Sequence, residues 1–398
     1  MNDLFDERAS WTDYTEQISK DIFSLPINWV GNKKKLFHPL LKFISDSELS
    51  FNSVLDVFSG SGVFSLAMIG EGKKVIANDA LLTASTWLIT LLEVIDNPLT
   101  KNDRFLITTK TDNAQKVDLN FLRTDYNKVF KPKEIEVLEM YRSLVAKNLG
   151  NEMSRGKGAS NSLETLKLEN GISGDSNKVA FAMQAMCVQI LQKCFMGGRY
   201  YNGQTLARVD QREQKGKIKG GGKVRINDKD LTLDGVPLHP TSCMRKILRS
   251  VVPSVNATVY NMDAIDLVQN KFIEVDLAYF DPPYGGDSSD YALMYGACEG
   301  YLRGARIQDC KDLSITMDRF KGKKAYTESF KEMLDASKRF PSWLFSFNES
   351  SFASIEEISS LIKSFNRRVI VRPVEDYGYN YRKKSNKTER EFMILARI

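Results

Sequence analysis

Ser53-Val54-Leu55-Asp56-Val57-Phe58-Ser59-Gly60-Ser61-Gly62 runs straight into Val63-Phe64-Ser65-Leu66-Ala67-Met68-Ile69, and this stretch sets the fold class. It opens as an apolar strand, passes through a glycine-rich turn and continues as an amphipathic helix. Glycines at 60 and 62 let the chain turn sharply and approach a ligand closely, with helix N-terminal amides aimed at it. Strand, tight turn and helix in that order open a doubly wound α/β sheet, in which ligands sit at the carboxyl ends of strands. The glycines are too close together for the dinucleotide fingerprint, and no Gly-Lys-Ser/Thr follows for a phosphate loop. A cofactor other than a nucleotide polyphosphate is expected at this turn.

Working outward, Lys74-Val75-Ile76-Ala77 reads as the second strand, ending at Asn78-Asp79. An acid about 20 residues after a glycine turn is placed to accept hydrogen bonds from ribose hydroxyls. Asp79 is equally suited to cap the helical run from Ala80 to Ile95, and the two roles are compatible. The sheet pattern resumes at Thr258-Val259-Tyr260-Asn261-Met262-Asp263, a strand ending in an acid.

Val275 to Phe280 is then a buried strand whose polar tip is Asp281-Pro282-Pro283-Tyr284. Two prolines fix φ and remove two donors, so the loop offers carbonyl oxygens instead of closing into a helix. Asp281 adds an acceptor-only carboxylate and Tyr284 a flat phenol. The set suits a planar substrate bearing an NH₂ group, one hydrogen to Asp281, the other to the Pro282 carbonyl, and the ring against Tyr284. A proline turn after a core strand is the plainer reading of the same four residues. Gly285 to Tyr291 looks like a flexible lid. A helix from Tyr326 to Arg339, a strand from Trp343 to Asn348, a helix near Ile355 to Phe365 and strands at Arg368 to Arg372 and Glu391 to Ala396 complete the alternation.

The chain has 398 residues, 42 % of them hydrophobic, enough for one large domain and a smaller one. No apolar run is long enough to span a bilayer, and the start, Met1-Asn2-Asp3-Leu4-Phe5-Asp6-Glu7, is acidic where a signal peptide is basic, so a soluble, cytoplasmic protein is expected. Five scattered cysteines, Cys187, Cys194, Cys243, Cys298 and Cys310, lack any Cys-x-x-Cys pair and indicate neither a disulfide framework nor a zinc site. With only His38 and His239, chemistry built on histidine clusters is disfavoured, and no metal is expected.

The net charge of +6 is concentrated. Arg199, Arg208, Arg212, Lys215, Lys217, Lys219, Lys223 and Arg225 face only Asp210 and Glu213, so this stretch carries the whole excess. It lies in a region, 97–255, where the sheet pattern lapses. Lys133 to Asn148 and Lys178 to Phe195 have helical spacing, 151–177 is rich in Gly, Ser and Asn, and Gly197 to Arg225 reads as a β-hairpin or loop reaching outward. A charge run is often only a solvated face. Interleaved with Tyr200, Tyr201 and Asn202 it fits nucleic acid, with Arg and Lys on phosphates and Arg or Asn on base edges. Near the amino end, Trp29-Val30-Gly31-Asn32-Lys33 sets an aromatic and a glycine ahead of a lysine cluster that opens a helix.

Taken in order, Trp29 to Lys33, Asp56 to Gly62, Asp79, a long insert, Asp263 and Asp281-Pro282-Pro283-Tyr284 resemble the N6-adenine-specific DNA methyltransferases of the alpha arrangement, the DNA adenine methylase group. Tyr377 to Lys384 with Glu391 to Leu395 resembles that group's C-terminal hairpin. The resemblance covers about residues 25–90 and 195–398, and the order of the motifs carries it. It implies a Rossmann-like S-adenosylmethionine-dependent methyltransferase domain, residues 1–96 plus 256–398, and a mainly helical target-recognition domain, 97–255, bearing a basic β-hairpin. It further implies that Asp56 to Gly62 cradle the methionine part of S-adenosylmethionine while Trp29, Gly31 and Lys33 close over it. Asp79 would hold the ribose hydroxyls and Asp263 the adenine amine of that cofactor. Double-stranded DNA would be the partner, met by Arg199, Asn202, Arg208, Arg212, Lys215, Lys217 and Lys219, with a cognate restriction endonuclease alongside. RNA and protein-glutamine amide methyltransferases use a similar tetrapeptide, often with Asn first, and cytosine-N4 DNA methyltransferases usually begin it with Ser. A DNA-binding module with a relict cofactor fold is the non-enzymatic alternative.

Overall fold

The computed structural model describes residues 29, 33, 36–93, 98–110, 118–149, 174–196, 199–200, 230–233, 235–236, 257–283, 291–310, 319–320, 322–349, 351–378 and 390–398. In chain order the strands are β1 (Ser53–Asp56), β2 (Lys74–Asn78), β3 (Phe195–Met196), β4 (Arg199–Tyr200), β5 (Ala257–Tyr260), β6 (Leu277–Phe280), β7 (Ser342–Asn348), β8 (Arg368–Gly378) and β9 (Arg390–Arg397). Seven of them form one sheet in the order β5-β2-β1-β6-β7-β9-β8. β5, β2, β1, β6 and β7 run parallel, while β9 is antiparallel to both β7 and β8. β1 therefore lies between β2 on one side and β6 on the other, and the strand order reverses there. That reversal is the topological switch point, where open α/β sheets bind ligands beyond the strands' carboxyl ends. Such a mixed sheet is compatible with an S-adenosylmethionine-dependent methyltransferase fold.

Alternation along the buried strands sends successive side chains to opposite faces. Val54, Val75, Leu277, Tyr279, Leu344 and Met393 join one core, and Leu55, Ile76, Ala278, Phe280, Phe345 and Ile394 the other. The first face is covered by α1 (Phe37–Asp46), α2 (Val63–Gly70) and α3 (Leu82–Leu88), which continues as a π-helical turn over Ile89–Glu93. α4 (Lys101–Thr108), α5 (Asn120–Asp125), α6 (Pro132–Leu149) and α7 (Gly174–Cys194) follow. Their apolar residues, Ile107, Leu122, Leu138, Tyr141, Met183 and Cys187 among them, run into the same core as Trp87 and Leu88. The described helices of the expected insert are thus built onto this face. A buried Lys193–Glu134 ion pair ties α7 to α6 at the foot of the two-stranded β3–β4 ribbon. The second face carries α8 (Ala264–Gln269), α11 (Lys323–Ala336) and α12 (Ile355–Lys363). Between these in sequence, α9 (Tyr291–Met294) and α10 (Gly296–Arg303) return to the first face.

Two expectations are adjusted. The strand foreseen over 258–263 ends at Tyr260, because Asp263 turns the chain into α8 by accepting from the Ile265 and Asp266 amides at 2.8 and 3.3 Å. The single helix foreseen over 80–95 is α3 with its π turn, whose Leu91 side chain lies against the glycine turn. The lead-in before Trp29, the lid over 285–290 and residues 379–384 lie outside the described residues. Among the described residues no helix is long and apolar enough to cross a membrane.

Candidate active site

The register of β1 and β6 is fixed at their amino ends by Asp276. Its Oδ2 accepts from the Asn52 and Ser53 amides at 2.8 and 2.9 Å and from Ser53 Oγ at 2.9 Å, and these donors hold its carboxyl below the usual range. Asp56 consequently pairs with Tyr279, two residues before Asp281. The two signature loops leave adjacent strands at the same level.

The glycine turn is locked from three sides. Ser59 Oγ donates to the Asp56 carbonyl at 2.9 Å and accepts from the Asn78 amide at 3.0 Å, and the Ser59 amide donates to the Asn78 carbonyl at 2.8 Å. Trp87 Nε1 donates to the Ser61 carbonyl at 3.1 Å from behind. Gly60 (φ 49°) and Gly62 (φ 75°) both adopt the left-handed region. A Cβ on Gly62 would sit 2.8 Å from Leu88 Cδ2 and 3.1 Å from Leu91 Cδ2, whereas one on Gly60 would meet nothing within 4 Å. Gly62 is small because helix packs against turn, and Gly60 faces open space where a ligand can come in. Phe58 is half-buried, edge-on to Phe320 at 5.6 Å.

Three acids ring this turn. Asp56 is 1 % exposed; its Oδ2 accepts from Ser65 Oγ at 2.7 Å, and its Oδ1 is buried without a hydrogen-bond partner. Burial, with Asp281 and Asp79 nearby, pushes its carboxyl up to about 7. Asp79 accepts from the Gly60 amide at 2.9 Å and the Leu81 amide at 2.8 Å, and burial raises it to about 6. The amides at the start of α3, of Leu82 and Thr83, go to Glu299 of α10, so the capping work expected of Asp79 is shared with a distant residue. Asp263 ion-pairs through Oδ1 with Arg319 at 3.1 Å, and its Oδ2 is buried without a hydrogen-bond partner. Two buried carboxylate oxygens without hydrogen-bond partners, Asp56 Oδ1 and Asp263 Oδ2, suit a ligand that presents N–H groups.

At the next strand end, Pro282 is buried, Pro283 half-buried, and Asp281 16 % exposed at its side chain. The Lys33 ammonium lies 2.9 Å from Asp281 Oδ1 and 3.4 Å from Glu391 Oε1. Trp29 is buried with its ring 4.7 Å from that of Tyr295 on the segment between α9 and α10. Asp56, Phe58, Ser59, Gly60, Ser61, Gly62, Asp79, Asp263, Asp281, Pro282 and Pro283 thus gather at one edge of the sheet, with Lys33 reaching in through its ammonium. Gly31, Tyr284, Asn202, Arg208, Arg212, Lys215, Lys217 and Lys219 lie outside the described residues, as does the Arg199 side chain.

Sequence reading passed over two groups. Asn78 clips three strand ends together: its Nδ2 donates to the Val57 and Met262 carbonyls at 3.1 Å each, and its Oδ1 accepts from the Met262 amide at 3.0 Å. Glu391, fully buried on β9, accepts from Ser346 Oγ at 2.8 Å and Asn348 Nδ2 at 3.1 Å. The signal for it was present: 346, 348 and 391 are polar on a face where 344, 393 and 395 are apolar.

Residues 29–157 match the family model of the D12 class N6 adenine-specific DNA methyltransferases. Over 378 residues the chain is 24 % identical to the Type II methyltransferase M2.HphI of Haemophilus parahaemolyticus, covering 93 % of this chain and 98 % of that protein. Both matches support the reading of the motifs as those of an N6-adenine DNA methyltransferase, and adenine-specific methylation of DNA as the reaction.

Proposed function

We propose that this protein transfers the methyl group of S-adenosylmethionine to the exocyclic N6 amine of a flipped-out adenine in double-stranded DNA, at a specific site, as a methyltransferase of the alpha arrangement. The observation that carries the detail is the juxtaposition, across one switch point, of the glycine turn after β1 and Asp281-Pro282-Pro283 after β6. One loop has the buried acceptors and open glycine for a donor molecule, the other the acceptors for an amine.

When bound, S-adenosylmethionine supplies a methyl group activated on a sulfonium. Asp56 Oδ1 and Asp263 Oδ2, buried without hydrogen-bond partners, would accept from its amino and adenine N–H groups, Asp79 would accept from the ribose, Trp29, Gly31 and Lys33 would close that side, and Gly60 leaves open space for its approach. The adenine enters extrahelically, since a base inside a duplex cannot reach a buried donor. Asp281 and the Pro282 carbonyl each accept one amine hydrogen while Tyr284 lies against the ring. The amine lone pair is delocalised into the ring, and these two acceptors favour a more tetrahedral nitrogen and stabilise the positive charge it acquires. Asp281 and the Pro282 carbonyl would also orient the amine toward the methyl group. The surplus N6 proton then leaves to solvent.

Residues 1–96 and 256–398 form the catalytic part in this reading, and 97–255 the target-recognition part, its basic stretch from Arg199 to Arg225 lying on the DNA backbone. The likeness to a Type II methyltransferase supports extending the proposal to a companion restriction endonuclease, and the proposed substrate to a cytoplasmic setting with the DNA it marks. Nucleoside mass analysis after incubation with S-adenosylmethionine and unmethylated DNA, RNA or a glutamine peptide tests this. N6-methyladenine in DNA alone is expected. N4-methylcytosine would overturn the base, and label in RNA or peptide the substrate class.

A further inference from the structure

We propose that Glu391 and Lys33 are positioning residues for the methyl acceptor, Lys33 holding the Asp281 carboxylate and Glu391 acting through Lys33. The inference rests on the reading of Asp281 as the group that accepts the adenine amine. Lys33 Nζ bridges Asp281 Oδ1 at 2.9 Å and Glu391 Oε1 at 3.4 Å, with side chains 6 %, 16 % and 0 % exposed for Lys33, Asp281 and Glu391.

Glu391 is the fixed end of this bridge. It lies opposite Asn348 in the β7–β9 ladder, and the Ser346 hydroxyl and Asn348 amide hold its two oxygens at 2.8 and 3.1 Å. Lys33, ahead of α1, is the link, and Asp281 stands on the loop after β6 that two prolines stiffen. For stability alone the sheet interior would do as well with apolar residues of the same volume. A glutamate there makes sense through its charge.

That charge has a definite use. Asp281 and Lys33 alone would sum to zero beside an amine that turns cationic during transfer. With Glu391 the trio carries one net negative charge, so the developing cation is favoured while Lys33 still fixes the plane of the Asp281 carboxylate. Asp56 and Asp79 at the neighbouring strand ends add to the same field when ionised.

The test is a double-mutant cycle on the full-length protein, with Glu391→Gln, Lys33→Met, Lys33→Arg and the Lys33→Met/Glu391→Gln pair. Single-turnover methyl transfer, S-adenosylmethionine affinity, DNA affinity and melting temperature are read for each. Glu391→Gln keeps shape and polarity but not charge, and should slow transfer about tenfold or more while both affinities stay within about threefold. Lys33→Met should be slower still and Lys33→Arg should recover part of the rate. The double variant should be no slower than Lys33→Met and should melt above it, because Lys33→Met alone leaves a buried glutamate facing Asp281.

Glu391→Gln transferring within about twofold of wild type overturns the proposal, as does a double variant whose loss is the product of the two single losses. So does a Lys33→Met defect lying wholly in cofactor affinity. If wild type marks a base other than adenine, or RNA, the functional reading fails separately, and the cycle is read on whichever acceptor takes the methyl. The melting cycle needs no substrate, and a double variant melting below Lys33→Met would dissolve the bridge by itself.

Discussion

Lowering the pH should weaken cofactor binding along a limb set by Asp56. Burial lifts this acid from the usual 3.8 to about 7, and its Oδ1 has no hydrogen-bond partner, so near neutrality it carries a proton for much of the time. To receive the cofactor's ammonium it must lose that proton. A group with a raised folded pKa gives up its proton as pH rises through that value, so affinity climbs with pH up to about 7 and falls below it. If only the ionised form binds, the apparent dissociation constant at pH 5.5 is about 25-fold above that at pH 7.5, some ~2 kcal/mol. Asp79, held at about 6 by burial, steepens the limb below that point in the same direction. Above about 8 the ligand's own amine loses its proton, which closes the window from the other side. Calorimetry of S-adenosylmethionine binding from pH 5 to 8.5, in two buffers of different ionisation enthalpy, reads both the affinity and the protons released. In Asp56→Asn the amide oxygen can take the Ser65 hydroxyl, turning an N–H toward the place of Oδ1, so binding at pH 7.5 should drop about tenfold or more and the acid limb should vanish. A wild-type affinity flat from pH 5.5 to 7.5, with no proton release, would refute the assignment of Asp56 to the ammonium.

Gly62→Ala combines a left-handed backbone with a contact 2.8 Å from Leu88 Cδ2, and should cost about 2–5 kcal/mol in denaturant titration. Gly60→Ala, strained but unobstructed, should cost only about 1–2 kcal/mol yet weaken the cofactor, and equal stability losses would contradict the packing described. Asn78→Ala removes three hydrogen bonds joining the ends of β1 and β2 to the loop after β5, and should lower stability by about 2–4 kcal/mol, seen as a reduced denaturation midpoint with an unchanged slope. Replacing Lys215, Lys217 and Lys219 together by Ala should flatten the salt dependence of DNA binding by up to about 3 in log–log slope, and a gel-shift series in rising salt showing no change would remove them from the backbone contact.

The sheet and both signature loops were legible because their signals are local. A strand followed by two closely spaced glycines, and a strand capped by Asp-Pro-Pro, each fix a chain direction within ten residues. What sequence did not show depends on which strands become neighbours. Asn78 looks like an ordinary strand end until β1, β2 and β5 meet around it. Glu391 stands 358 residues from Lys33, and only the placement of β7 beside β9 brings its carboxylate within reach. α9 and α10 were hidden by the glycines before them, although Tyr291, Ala292, Tyr295, Cys298 and Leu302 keep helical spacing. The helices after residue 97 read as a separate body because polar stretches interrupt them, yet their apolar faces complete the core over α3. Asp263 was read as the tip of a strand, whereas it caps the start of α8, a role that shows only once the chain is seen to turn after Tyr260.

The most direct test of the proposed chemistry compares wild type with Asp281→Ala in one experiment, measuring N6-methyladenine formed in unmethylated DNA alongside S-adenosylmethionine affinity. Removing the carboxylate that receives the amine should abolish methyladenine, by about 10³-fold or more, while affinity for the cofactor, held by residues of the neighbouring strands, stays within about threefold. A variant that still methylates adenine at near wild-type turnover would contradict the role of Asp281, and with it the account of the site.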